Sequence, residues 1–163
     1  MRIRTTFLLF LITLAGFAKA GNLFQKFEKS AFYQAMASGT LDDINSQLDA
    51  VVNAPANERE AYEGVLLMRK GGLLQKPKDK LRSFKSGRIK FQTAFMADSN
   101  NTEFRFLRLG IQEHAPKIVK YSSNINVDKA YIKEHFKSLS PVVQHAVLEY
   151  SKTSKVLHPE DFN

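Results

Sequence analysis

Four histidines and a dense run of basic residues are the side chains of this chain with the most chemistry to offer, and their spacing decides which chemistry. His114, His135, His145 and His158 form no H-E-x-x-H pattern and no close ligand spacing, so a zinc site would have to be assembled entirely by folding. Glu113-His114 and Glu134-His135 are adjacent pairs, and adjacent residues on a helix point about 100° apart. The chain has no cysteine, and neither G-x-S-x-G, S-x-x-K nor a Gly-rich phosphate loop occurs. His158-Pro159-Glu160-Asp161 offers metal-ligating residue types in what reads as an exposed polar tail. The expectation is a non-enzymatic protein with no catalytic residue, metal or cofactor. The alternative is an exported enzyme or metal-binding protein whose site is built from scattered side chains such as Glu113, His114, His135 and His145.

The basic residues are better organised. Residues 69–90 hold nine of them (Arg69, Lys70, Lys76, Lys78, Lys80, Arg82, Lys85, Arg88 and Lys90) against Asp79 alone. Residues 21–68 are net acidic, and residues 91–163 are nearly balanced. On a helix Lys78, Arg82 and Lys85 fall within about 60° of one another, with Arg88 at the border of an apolar face made by Leu81, Phe84, Phe91 and Phe95. Such a stripe can hold carboxylates or phosphates by charge-assisted hydrogen bonds. Lys76, Lys80 and Lys90 point elsewhere, as on an ordinary solvated basic helix. The four apolar residues are expected to be spent on the core, which argues against a helix lying on a membrane.

The elements that must carry these residues follow from spacing. Met1 to Ala20 has a basic start (Arg2, Arg4), an apolar run from Phe7 to Phe17 and a small-x-small end at Ala18-Lys19-Ala20, the pattern of a cleaved signal peptide. It predicts an exported protein, periplasmic or secreted, with no membrane anchor after cleavage, so nucleic acid is not expected as a partner. With Arg2, Arg4 and Lys19 removed, the net charge falls from +8 to +5. Without cysteine the domain can carry neither a lipid on an N-terminal thiol nor a disulfide, and must be held by its core.

Hydrophobic recurrence at three and four residues predicts an all-α single domain over 21–155, with about seven helices in antiparallel hairpins and a tail over 156–163. The helices are expected at 22–37, at 41 to about 52 after a Thr40 cap, at 57–70 closed by Gly71-Gly72, and from Pro77 to the turn at 98–101. A fifth should start with an Asn100/Glu103 capping box and end before Pro116. Two more are expected at 126–138 and at 141–153, the last with Ser140 as cap and Pro141 at its first position. The fifth is apolar on several sides through Phe104, Phe106, Leu107, Leu109 and Ile111, as a helix buried between others is. Arg105 and Arg108 should then snorkel outward or meet carboxylates.

Residues 57–101 resemble one degenerate tetratricopeptide repeat. Gly87, Phe91 and Ala94 have the spacing of its second helix, Asp98-Ser99-Asn100-Asn101 stands where its turn would be, and Tyr62, Gly64, Leu66 and Leu67 look like a loose first helix. The Trp-x2-Leu-Gly signature is missing, Ser99 replaces the turn proline, and 71–80 reads as an insertion. The chain is also similar to small exported helical proteins from Bacteroidetes across Phe104 to Pro116. The repeat resemblance implies an irregular or repeat-like helical bundle that binds a protein or peptide, and the charge asymmetry implies an acidic one. Lys78, Arg82, Lys85 and Arg88 are the candidate binding residues.

Overall fold

Thr40 shows how locally the chain is programmed. Its hydroxyl accepts the Asp43 N–H at 3.1 Å and starts a helix at Leu41, as a β-branched hydroxyl at an N-cap should. The computed structural model describes residues 26–163; the leader expected over 1–20 lies outside them. Among the described residues there are seven α-helices and no strand: α1 (Lys29–Ser38), α2 (Leu41–Ala50), α3 (Ala56–Leu73), α4 (Pro77–Ala97), α5 (Thr102–His114), α6 (Ile125–His135) and α7 (Pro141–Ser151). The all-α expectation holds. None of these helices is long and apolar enough to cross a membrane.

Several boundaries differ from the sequence expectation for physical reasons. The first helix begins at Lys29, not at 22, because Phe27 sits before it in non-helical backbone and stacks on Tyr62 at 5.0 Å. Gly71 and Gly72 do not close α3, which runs through both to Leu73. Only residues 74–76 then separate α3 from α4, so 71–80 is no insertion but the ends of two helices. The N-cap of α5 is Asn101, whose side chain accepts the Phe104 N–H at 3.1 Å, and not Asn100. Glu103 is spent elsewhere, as described below. Ser140 precedes Pro141 at the start of α7 but makes no side-chain cap.

α3 and α4 form an antiparallel hairpin whose backbones nearly touch. Gly64 on α3 faces Gly87 and Phe91 on α4, and Gly71 faces Lys80 and Phe84. A Cβ on Gly87 would meet the carbonyl oxygen of Gly64 and lie 2.7 Å from the Met68 nitrogen. The close approach buries Phe84, Phe91, Ala94 and Phe95 of α4 against Tyr62, Val65, Leu66 and Met68 of α3.

α5 is the helix between two apolar clusters, as its many-sided sequence implies. Phe104, Leu107 and Ile111 enter the cluster built with α1 to α4, while Phe106 and Leu109 enter a second one with Ile132, Leu139, Val143, Val147 and Leu157. The last eight residues, set apart in the sequence as a tail, are docked on this second cluster. Leu157 is fully buried, and Phe162 packs against Phe136 at 4.7 Å. Asp161 binds Lys133 at 2.6 Å and accepts the His158 N–H at 3.0 Å. The Lys133 hydrogen bond holds the Asp161 carboxyl down at about 2.

That depressed value predicts a pH dependence. The stability Asp161 contributes is complete above its unfolded value of about 4. It is lost as pH falls through the folded value of about 2. Asp161→Asn keeps an acceptor for the cap but loses the charge. Melting temperatures of the two proteins are expected to differ at neutral pH and to converge between about pH 4 and pH 2. A constant gap across that window would contradict the assignment.

Candidate functional site

α4 divides its residues by direction. Gly87, Phe91 and Ala94 line its inner side against α3, while Lys78, Arg82, Lys85, Ile89 and Met96 fall on one outward stripe and are all exposed. Three of the four predicted binding residues, Lys78, Arg82 and Lys85, therefore share a surface. Arg82 is tied to Asp79 at 2.8 Å across one exposed helical turn, a contact weak enough in water to exchange for a ligand. Lys78 and Lys85 make no ion pair among the described residues. The fourth, Arg88, leans away. Its guanidinium lies 4.8 Å from the Tyr121 ring and its Nη1 reaches the Val119 carbonyl at 3.4 Å. Lys90, on the other flank, pairs with Glu63 of α3 at 3.1 Å.

Beside the stripe, an open groove of about 420 Å³ runs between α3 and α4. Leu67, Lys70, Leu74, Asp79, Arg82 and Ser86 line it, so apolar side chains meet two cations and the carboxylate that pairs with Arg82. Across α4 the Tyr121 ring packs edge-on against Phe84 at 5.9 Å, and its hydroxyl accepts Gln92 Nε2 at 2.8 Å. Burial pushes the Tyr121 hydroxyl up, a rise partly offset by that Gln92 bond and by the nearby Arg108 and Arg88.

Arg105 and Arg108, left open by the sequence as snorkelling or paired, are paired. Arg108 grips the fully buried Asp128 of α6 with Nε and Nη2, each at 2.7 Å, and Arg105 Nη1 adds a third contact at 3.1 Å. Phe95 covers the Arg108 guanidinium at 3.8 Å, and Tyr131 covers that of Arg105 at 4.1 Å. Two cations on one carboxylate leave this cluster net positive, and Arg105 Nε has no hydrogen-bond partner.

Glu103, expected to cap α5, anchors a different cluster. It accepts from Lys29 at 2.8 Å, Tyr33 at 2.8 Å and Tyr62 at 2.7 Å, while Tyr62 Oη also lies 3.0 Å from Glu58. Burial, then the neighbouring carboxylates, push both tyrosine hydroxyls far up, so they act here as permanent donors. The cluster joins α1, α3 and α5, which is the role of a structural knot. At the far end of α5, Glu113 accepts from Tyr150 at 2.6 Å, Ser154 at 2.7 Å and the Lys155 N–H at 2.6 Å. Burial raises the Glu113 carboxyl, and these three donors more than offset that and lower it.

The scattered histidines do not converge. His114 Nδ1 faces the Gly110 carbonyl at 3.0 Å, and His135 Nδ1 faces the Tyr131 carbonyl at 3.0 Å while its ring stacks on Tyr131. The His158 side chain caps the short 3-10 turn Pro159–Phe162, in a reciprocal box with Asp161. Among the described residues no three His, Asp or Glu side chains come close enough to hold a metal ion. No protein-family model, curated protein or solved structure matches this chain. A functional reading therefore rests on the chemistry of its own surface.

Proposed function

We propose that this is an exported, non-enzymatic helical interaction module that uses the outward face of α4 to hold an anionic partner. The observation that carries the reading is the stripe of Lys78, Arg82 and Lys85. Three cations lie on one exposed helix face, two of them without a carboxylate, on a helix whose other side is locked into the core. In the interior, by contrast, cations are held by a carboxylate, as Arg105 and Arg108 share Asp128. Among the described residues Lys78 and Lys85 are not, and Arg82 is held only by the exposed contact with Asp79, so their charge is available to a ligand.

Export rests on the basic, apolar and small-residue segments of 1–20. The repeat-like reading of 57–101 is supported by the glycine contact between α3 and α4, which supplies the close hairpin that small residues serve in a tetratricopeptide unit. A hairpin held this rigidly makes its outer face a fixed platform.

The test is a charge reversal at two exposed positions. The double variant Arg82→Glu and Lys85→Glu is expected to elute from immobilised polyglutamate at much lower salt than the parent chain, with an unchanged helical circular dichroism spectrum. Equal retention of the two proteins would defeat the basic-face reading.

A further inference from the structure

The stripe on α4 changes character along its length. Its first half is cationic, and its second half carries Ile89 and Met96, 69% and 80% exposed. Against its border lies the turn 117–120, fixed there by Tyr121 on Phe84 and Arg88. This turn holds Ile118, 88% exposed, between Lys117 and Lys120. Lys120 closes this turn in left-handed backbone, φ 46°, the only non-glycine residue with positive φ among the described residues. The three most exposed large apolar side chains of the described residues thus lie on the outward stripe of α4 and on the turn that borders it, with Arg88 joining the two through the Val119 carbonyl.

We propose that this surface docks on an anionic lipid bilayer, with Ile89, Met96 and Ile118 entering the headgroup region and Lys78, Lys85 and Lys117 meeting lipid phosphates. The inference rests on the basic-face reading and specifies its partner. Its warrant is the form of the surface as well as its charge. A protein partner takes anchors in concave, desolvated pockets. Here the apolar groups project singly, and the groove at Leu67 and Ser86 opens on the opposite flank of the stripe. A bilayer needs only projecting apolar tips ringed by cations that stay at headgroup level. Of the four apolar residues expected in the core, Phe84, Phe91 and Phe95 are buried there, while Leu81, one turn from the N-terminal end of α4, is 45% exposed; burying the three phenylalanines leaves this surface intact.

A chain without cysteine allows a clean test. An environment-sensitive fluorophore is placed on Met96→Cys, on Ile118→Cys and, as a reference, on Ser46→Cys, an exposed position of α2. Vesicles of equimolar phosphatidylglycerol and phosphatidylcholine should raise emission at 96 and 118 by about twofold or more, with a blue shift, and leave 46 unchanged. Pure phosphatidylcholine should give neither change. Adding Arg82→Glu and Lys85→Glu should weaken the apparent vesicle affinity about tenfold or more. Attachment through the apolar run 7–17 alone would leave 96 and 118 dark, and that result, or an equal response at 46, overturns the proposal. If vesicles fail while polyglutamate still binds through Arg82 and Lys85, the bilayer inference falls and the basic-face reading stands. If both fail, both fall.

Discussion

Asp128→Asn is expected to cost about 3–5 kcal/mol of folding stability, because it leaves the Arg105 and Arg108 guanidinium groups in the interior without a counter-charge. Asp128 is fully buried, the Arg108 side chain is 7% exposed, and both guanidinium planes are covered by aromatic rings, so water cannot enter to compensate. Denaturant unfolding followed by circular dichroism measures the loss as a lower midpoint at an unchanged slope. The same physics makes a less obvious demand. Replacing all three residues together by apolar ones of similar size should cost less than the single change, since the charges and their desolvation leave together. A single variant within about 1 kcal/mol of the parent would mean that the cluster is solvated in solution.

The second large effect lies in the α3–α4 hairpin. Gly87→Ala is expected to destabilise the protein by about 3 kcal/mol, at the upper end for overpacking, because the added methyl meets backbone on both sides. The Gly64 carbonyl and the Met68 nitrogen, 2.7 Å from the new carbon, cannot rotate out of the way as a side chain would. The helices must separate, and the contacts of Phe84 and Phe91 separate with them. Gly72→Ala is the internal control. A Cβ there meets nothing within 4 Å. That substitution should be neutral or stabilising by up to about 0.5 kcal/mol through helix propensity and a less flexible unfolded chain. Thermal melts of the two variants, expected to move in opposite directions or nearly so, check the hairpin geometry directly.

These two sites show how far the sequence can be read. The wheel of α5 is legible, because apolar residues on several sides admit no surface position, and the structure places that helix between two clusters. The partner of Arg108 is not, since Asp128 stands 20 residues away and looks like any acid in a first helical turn. Glu103 misleads for a related reason. Its spacing from Asn100 satisfies a capping pattern, yet the donors Lys29, Tyr33 and Tyr62, brought in by two other helices, claim it. Gly71-Gly72 reads locally as a stop and is kept helical by packing of α3 on α4. On α4 the cationic stripe follows from periodicity alone. Arg88 leaves it because a loop some 30 residues later supplies Tyr121, a contact no local pattern encodes. Ile89 and Met96 share the angle of the stripe's cations on the helix, but only burial shows that nothing packs over them.

The inner side of α4 builds the protein, and its outer side is the proposed binding face. Amide chemical shifts of the isotope-labelled protein, recorded while an anionic lipid bilayer in nanodisc form is titrated in, test it most directly. Shifts and line broadening are expected to begin at Lys78, Arg82, Lys85, Ile89 and Met96 and at 117–120, while α2 and the Glu103 cluster stay unperturbed. Changes centred on α2, on α6 or on the histidines, with α4 silent, would contradict it.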